Sequence, residues 1–275
     1  MEEIINQIRA LHRRRRFALK TQQKVTLSLE SYIRRNATEW RPDLGEAERA
    51  KIRAKVRSII KAARNSEEHE LYRIIHVSDA AYAPSAALRY EDERDMERLA
   101  KKLPVWPWVE SIPGAGPLGL ATIVAECGNL SNYATVSKVW KRLGYAPYDG
   151  LAGSTWKRPS WRTRTLTADE WIAHPFSGEK YALMHQIASW LWVKQWIGKA
   201  KSPTGVGMPN GTYGNVYATR RARTTITHPD WSDGHLHADA LRITMKSFLK
   251  DLWVEWHHIE ATPSRAELPQ LAAAE

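Results

Sequence analysis

The chain has 275 residues, 43% of them hydrophobic, with 41 Lys and Arg against 30 Asp and Glu, a formal net charge of +11. That supplies a core for one large or two modest domains and excludes wholesale disorder. Cys127 is the sole cysteine, which excludes an intramolecular disulfide and any cysteine-built zinc module. No apolar run reaches the roughly 20 residues of a membrane span, and the Met-Glu-Glu start before a basic helix predicts no secretory leader. A soluble, cytoplasmic protein without a membrane partner is therefore expected. The charge is uneven: residues 1–65 hold 17 Lys and Arg against 7 Asp and Glu, residues 66–111 hold 6 against 10, and residues 112–275 hold 18 against 13. A concentrated basic face is the electrostatic footprint of a polyanion binder.

Taken in chain order, Ile4, Ile8, Leu11, Ala18, Val25, Leu29 and Ile33 recur at three-four spacing with no Gly or Pro before Pro42, which predicts one long helix. Within it, His12 is followed by Arg13, Arg14, Arg15 and Arg16. Four guanidiniums in little more than one turn cannot all avoid the apolar seam, and an anion, phosphate first, would relieve their repulsion. After the turn Arg41-Pro42-Asp43-Leu44-Gly45, a second basic helix runs from Glu46 to about Arg64, with Ile52, Val56, Ile59, Ile60 and Ala63 inward. The pair predicts a basic antiparallel hairpin or coiled-coil arm over residues 1–65, the expected route to a homo-oligomer. Residues 66–110 read as connecting helices, broken near Ala83-Pro84-Ser85. Clustered Glu91, Asp92, Glu93, Asp95 and Glu97 could hold Mg²⁺, but Arg89, Arg94 and Arg98 at helical spacing make surface ion pairing the simpler reading.

The most informative local signal is Ser111-Ile112-Pro113-Gly114-Ala115-Gly116-Pro117 followed by the apolar run Leu118 to Glu126. A Gly-x-Gly turn opening a helix is the pattern of a helix-hairpin-helix. Gly114 and Gly116 would let backbone approach a phosphate at the helix N-terminus, and Pro117 suits the first helical turn. Such a motif grips the backbone and reads no bases.

From Ser111 to Gly153, this hairpin, then Glu126-Cys127-Gly128-Asn129 and then Leu143-Gly144-Tyr145-Ala146-Pro147 resemble the C-terminal domain of the Piv/MooV-related insertion-sequence transposases, the DEDD recombinases guided by a bridge RNA. The helix from Asp239 to Trp253 is a fainter echo of the same domain, and the basic arm is similar to the coiled coil that precedes it in that family. The resemblance implies a helical domain over residues 111–260, contact with DNA and a guide RNA, and a bacterial or phage setting near the nucleoid. Family members also carry an RNase-H-like domain with four metal-binding carboxylates; only helical patterns precede the hairpin here. The family's serine nucleophile lies in a Ser-Gly pair, and the nearest counterpart is Ser154, in the inverted order Gly153-Ser154. No base for its activation is evident nearby in sequence.

Downstream, Trp156, Lys157, Arg158, Trp161, Arg162 and Arg164 interleave two aromatic platforms with four cations, a composition suited to unstacked bases and phosphates. Residues 180–201 read as a Trp-rich core helix, and Lys199 to Tyr217 as a long Gly/Pro-rich loop. Arg220, Arg221 and Arg223 form a second basic patch. His228, His235 and His237, among three Asp, are candidate Zn²⁺ ligands, with a turn and N-cap at Ser232 or Asp233 as the simpler reading. A last helix from Ala238 to about His257 and a disordered tail over 261–275 complete a mainly α chain.

The expected function is binding of DNA, structured RNA or both, through the hairpin and the basic patches. No cofactor is expected of the chain alone, and a divalent cation would enter only with a catalytic partner. Three rival readings stand beside it: a recombinase component completed in trans by an RNase-H-like subunit, a metal-dependent nuclease, and a structural or virion-associated interaction protein.

Overall fold

A computed structural model describes residues 1–146, 178–198 and 207–261. The described residues are mainly helical: α1 (Glu2–Asn36), α2 (Glu46–Arg64), α3 (Tyr72–Ala100), α4 (Trp106–Glu110), α5 (Pro117–Cys127), a 3₁₀ turn (Leu130–Asn132), α6 (Val136–Arg142), α7 (Gly178–Lys194), α8 (Thr212–Thr227) and α9 (Asp233–Ala261). A two-stranded antiparallel ribbon, β1 (Trp196–Gly198) and β2 (Gly207–Pro209), lies between α7 and α8, with Trp196 opposite Pro209. Among the described residues no helix is long and apolar enough to cross a membrane.

The chain divides into two compact units, residues 10–95 and residues 1–9 with 96–275. In the first, Leu29 and Ile33 of α1, Ile52 and Val56 of α2, Leu71 just before α3 and Ile75 in its first turn close one core cluster. A two-helix hairpin has a single seam and leaves its flanks wet, so a third amphipathic helix joins it. Residues 66–95 therefore pack with the arm, where connecting helices separate from the 1–65 arm were expected, and residues 96–110 belong with the hairpin that follows.

The α1 seam follows a heptad through Ile5, Ile8, His12, Arg15, Ala18, Gln22, Leu29 and Ile33, all buried. Two of its polar members, Arg15 and Gln22, and the adjacent Arg14 are answered from α3. Arg15 Nε donates to Glu93 at 2.7 Å, Arg14 Nε donates to the fully buried Asp92 at 2.7 Å, and Tyr82 donates to Gln22 at 3.3 Å. The expected break at Pro84 does not occur: α3 runs straight through it. Pro84 and Ala80 are both exposed, so the carbonyl that loses its partner faces water, and Ser85 Oγ donates to Tyr82 O at 2.8 Å beside it.

In the second unit, α9 carries Leu241, Met245, Phe248, Leu249, Leu252 and Trp256 into the core. It is longer at both ends than the apolar pattern predicts; at the N-terminal end, Ser232 Oγ accepts the His235 N–H at 3.3 Å and starts the helix early. Two boundaries differ from the pattern. α7 stops at Lys194, short of the predicted 201, and α8 begins at Thr212, inside the predicted loop. Both follow from Gln195, whose side chain is buried. Its Oε1 accepts from the N–H groups of Tyr213 (2.9 Å) and Gly214 (3.3 Å), and its Nε2 donates to Pro113 O (3.0 Å). One amide thus caps α8, ends α7 and ties both to the hairpin turn.

Candidate nucleic-acid interface

The turn between α4 and α5 carries two glycines, and they do different work. Gly114 sits at φ +89°, and a Cβ there would lie 2.5 Å from the backbone oxygen of Trp190. Its close approach is to α7. Gly116 is the N-cap of α5 at φ −79° with no side-chain cap, and a Cβ there would meet nothing within 4 Å. Of the two, only Gly116 opens outward. Pro117 holds the first helical position as expected, and behind it α5 packs at Gly119 against Ile187 of α7.

The arginine run does not present four free guanidiniums. Arg13 is exposed, but Arg14 and Arg15 are committed to Asp92 and Glu93. The Asp92 hydrogen bond and charge raise the Arg14 pKa above its ordinary value. The anions that relieve the crowding are carboxylates of the same chain, supplied by the acidic stretch of α3. For Asp92 and Glu93 that corrects the reading of those acids as surface pairs within one helix: Glu93 does approach Arg89 at 4.0 Å, four residues away, but the short bonds of both cross to α1.

The second patch lies on the α8–α9 face. Asp239 is nearly buried and accepts from Arg220 Nε and from Arg242 Nη2, each at 2.6 Å. Burial pushes its pKa up, but the two guanidiniums outweigh that and hold it below its ordinary value. One carboxylate against two fixed guanidiniums leaves a net positive charge whose orientation is already set. Arg220 and the exposed Arg223 border a groove of about 410 Å³ floored by Val216 and Ile243, with Asn215 and Thr219 along α8. One turn beyond Arg242, Lys246 Nζ lies 4.0 Å from the centre of the Trp140 ring of α6, whose Nε1 donates to Lys246 O at 3.1 Å. Burial, helped by the charge of Arg242, holds this ammonium's pKa below its ordinary value. Lys138 and Lys141 are exposed on α6 itself. Arg221 turns elsewhere, to Asp233 at 3.0 Å.

Arg242, Lys246 and Lys250 recur every four residues along α9, a polar stripe that the stronger apolar periodicity of the same helix masks in the sequence. The Trp140 contact crosses 106 residues and has no local signal.

The three candidate zinc histidines do not converge. His228 and His235 stack on opposite faces of Trp231, at centroid distances of 4.1 and 3.9 Å and tilts of 8° and 5°. His237 points to Tyr217, whose hydroxyl lies 2.7 Å from Nδ1. Among the described residues no group of three His, Cys, Asp or Glu is placed to hold a metal ion. Cys127 is buried, which pushes its thiol up to about 12, and neighbouring Glu126 pairs with the buried Lys180 at 3.8 Å. Ser154, Trp156, Lys157, Arg158, Trp161, Arg162 and Arg164 lie outside the described residues, as does the tail from 262. No family model, curated protein or solved structure matches the chain.

Proposed function

We propose that the protein binds DNA or structured RNA along its sugar-phosphate backbone, as the nucleic-acid-gripping part of a machinery related to the bridge-RNA-guided DEDD transposases. The observation that carries this reading is the braced cation set on α8 and α9: Arg220 and Arg242 clamped on Asp239, Arg223 exposed beside them, and Lys246 seated on Trp140. Held cations lose little side-chain entropy when phosphate arrives, which favours backbone contact over a freely solvated surface. The uncapped start of α5 at Gly116 offers further N–H donors of the kind phosphate accepts. The tie to transposases rests on the run Ile112 to Pro117 and the segments after it.

Contact with five or six phosphates gives a slope of log K against log salt of about −4.5 to −5.4 on duplex DNA. Fluorescence anisotropy with a labelled duplex from low to moderate salt measures it. Absence of binding at low salt, or binding insensitive to salt, overturns the reading.

A further inference from the structure

The turn between α8 and α9 carries the nearly parallel pile His228–Trp231–His235. Its members add nothing to the core: His228 and Trp231 are half-buried and His235 is exposed. The pile is nonetheless held from both ends. His228 is the C-cap of α8, Trp231 N–H donates to His228 O at 3.1 Å, and His235 N–H donates to Ser232 Oγ at 3.3 Å. Trp231 is covered on both faces, so the ring still open to a ligand at the α9 end is His235. A Cβ at the adjacent Gly234 would meet nothing within 4 Å, and Asp233, two residues earlier, is neutralised by Arg221.

We propose that His235 is a stacking platform for one unpaired nucleobase at the end or flank of a bound duplex, with the pile behind it continuing the base stack. The near-parallel rings, about 4 Å apart, reproduce the geometry a base seeks on leaving a neighbouring base. The pile is already ordered, so the base alone gives up freedom on docking. Arg223 lies five residues before His228 on the same helix, in reach of a strand whose phosphates run along the α8–α9 groove. This rests on the backbone-binding reading and adds a preference for unpaired bases.

The test uses the full chain and two labelled probes, a blunt duplex and the same duplex with a short single-stranded overhang carrying 2-aminopurine. Wild type binds the overhang probe about tenfold more tightly, as expected for one stacked base, and quenches the 2-aminopurine. His235→Ala removes the quenching and the preference while leaving blunt-duplex affinity unchanged; His235→Phe restores both. Equal binding of both probes by wild type, or an unchanged overhang preference in His235→Ala, overturns the platform and leaves backbone binding standing. Binding of neither probe by wild type overturns backbone binding itself.

Discussion

The two hairpin glycines can be separated by stability alone. At Gly114 an alanine would need φ +89° and would press a Cβ to 2.5 Å from a helix carbonyl, so Gly114→Ala should cost about 2 kcal/mol or more. Gly116→Ala meets open space at an ordinary φ and should stay within about 0.5 kcal/mol of wild type. Urea unfolding measures both, and equal losses would refute the division of roles. Gln195→Ala belongs with Gly114: it strands two N–H groups and a carbonyl, at an expected cost of about 2–4 kcal/mol. Acid should also weaken this unit. Burial lowers the pKa of His237, helped by His185 and Arg221, and burial lowers that of His185. Both sit below the ordinary 6.5, so the unfolded chain takes up protons that the folded chain refuses, and stability falls as pH drops below that value. Melting temperatures at about pH 7.5 and about pH 5.5 should differ less in His237→Gln than in wild type; an unchanged difference would exclude His237 as a contributor.

At the scale of elements, α3 tolerates a proline that contributes no packing. Pro84 is exposed in mid-helix, so Pro84→Ala restores a backbone hydrogen bond and should stabilise the chain by about 1–3 kcal/mol, read as a higher urea midpoint. A destabilised Pro84→Ala would mean that the proline is fitted to its place. The same helix shows why patterns locate elements better than boundaries. Apolar spacing announced α1, α2 and α9, because each has one buried stripe of ordinary residues, whereas α5, buried nearly all round, was announced by the Gly-x-Gly turn before it. It misjudged the middle of α1, where His12, Arg15 and Gln22 occupy core positions and the partners of the last two, Glu93 and Tyr82, are some sixty to eighty residues away. It also lost the start of α8, because Gly211 and Gly214 read as loop. Gly214 is there since a Cβ would fall 2.2 Å from Gln195 O, a contact that no local pattern encodes.

Over the whole molecule, net charge is a poor guide to where a polyanion would sit. The most basic stretch of sequence is the arm, yet its Arg14 and Arg15 are spent on Asp92 and Glu93, while the smaller surplus of the second unit is held outward by Asp239 and Trp140. The candidate site was half legible for this reason: Arg220 and Arg223 stood out as a run, whereas Arg242 and Lys246 acquire meaning only when α6, α8 and α9 meet. The two basic regions should therefore respond oppositely to mutation. Arg223→Ala combined with Lys246→Ala should leave the fold intact, weaken binding to all sequences alike and reduce the salt slope by about 2, one for each lost phosphate contact. Arg14→Ala should leave that slope unchanged but strip the fully buried Asp92 of its hydrogen bond, a loss of about 1–3 kcal/mol, below that of a fully buried pair because the Arg14 side chain is half exposed. Anisotropy titrations and urea melts on the same preparations give both readouts. If Arg14→Ala lowers the salt slope while stability holds, phosphate is bound by the arm and the α8–α9 face is not the interface.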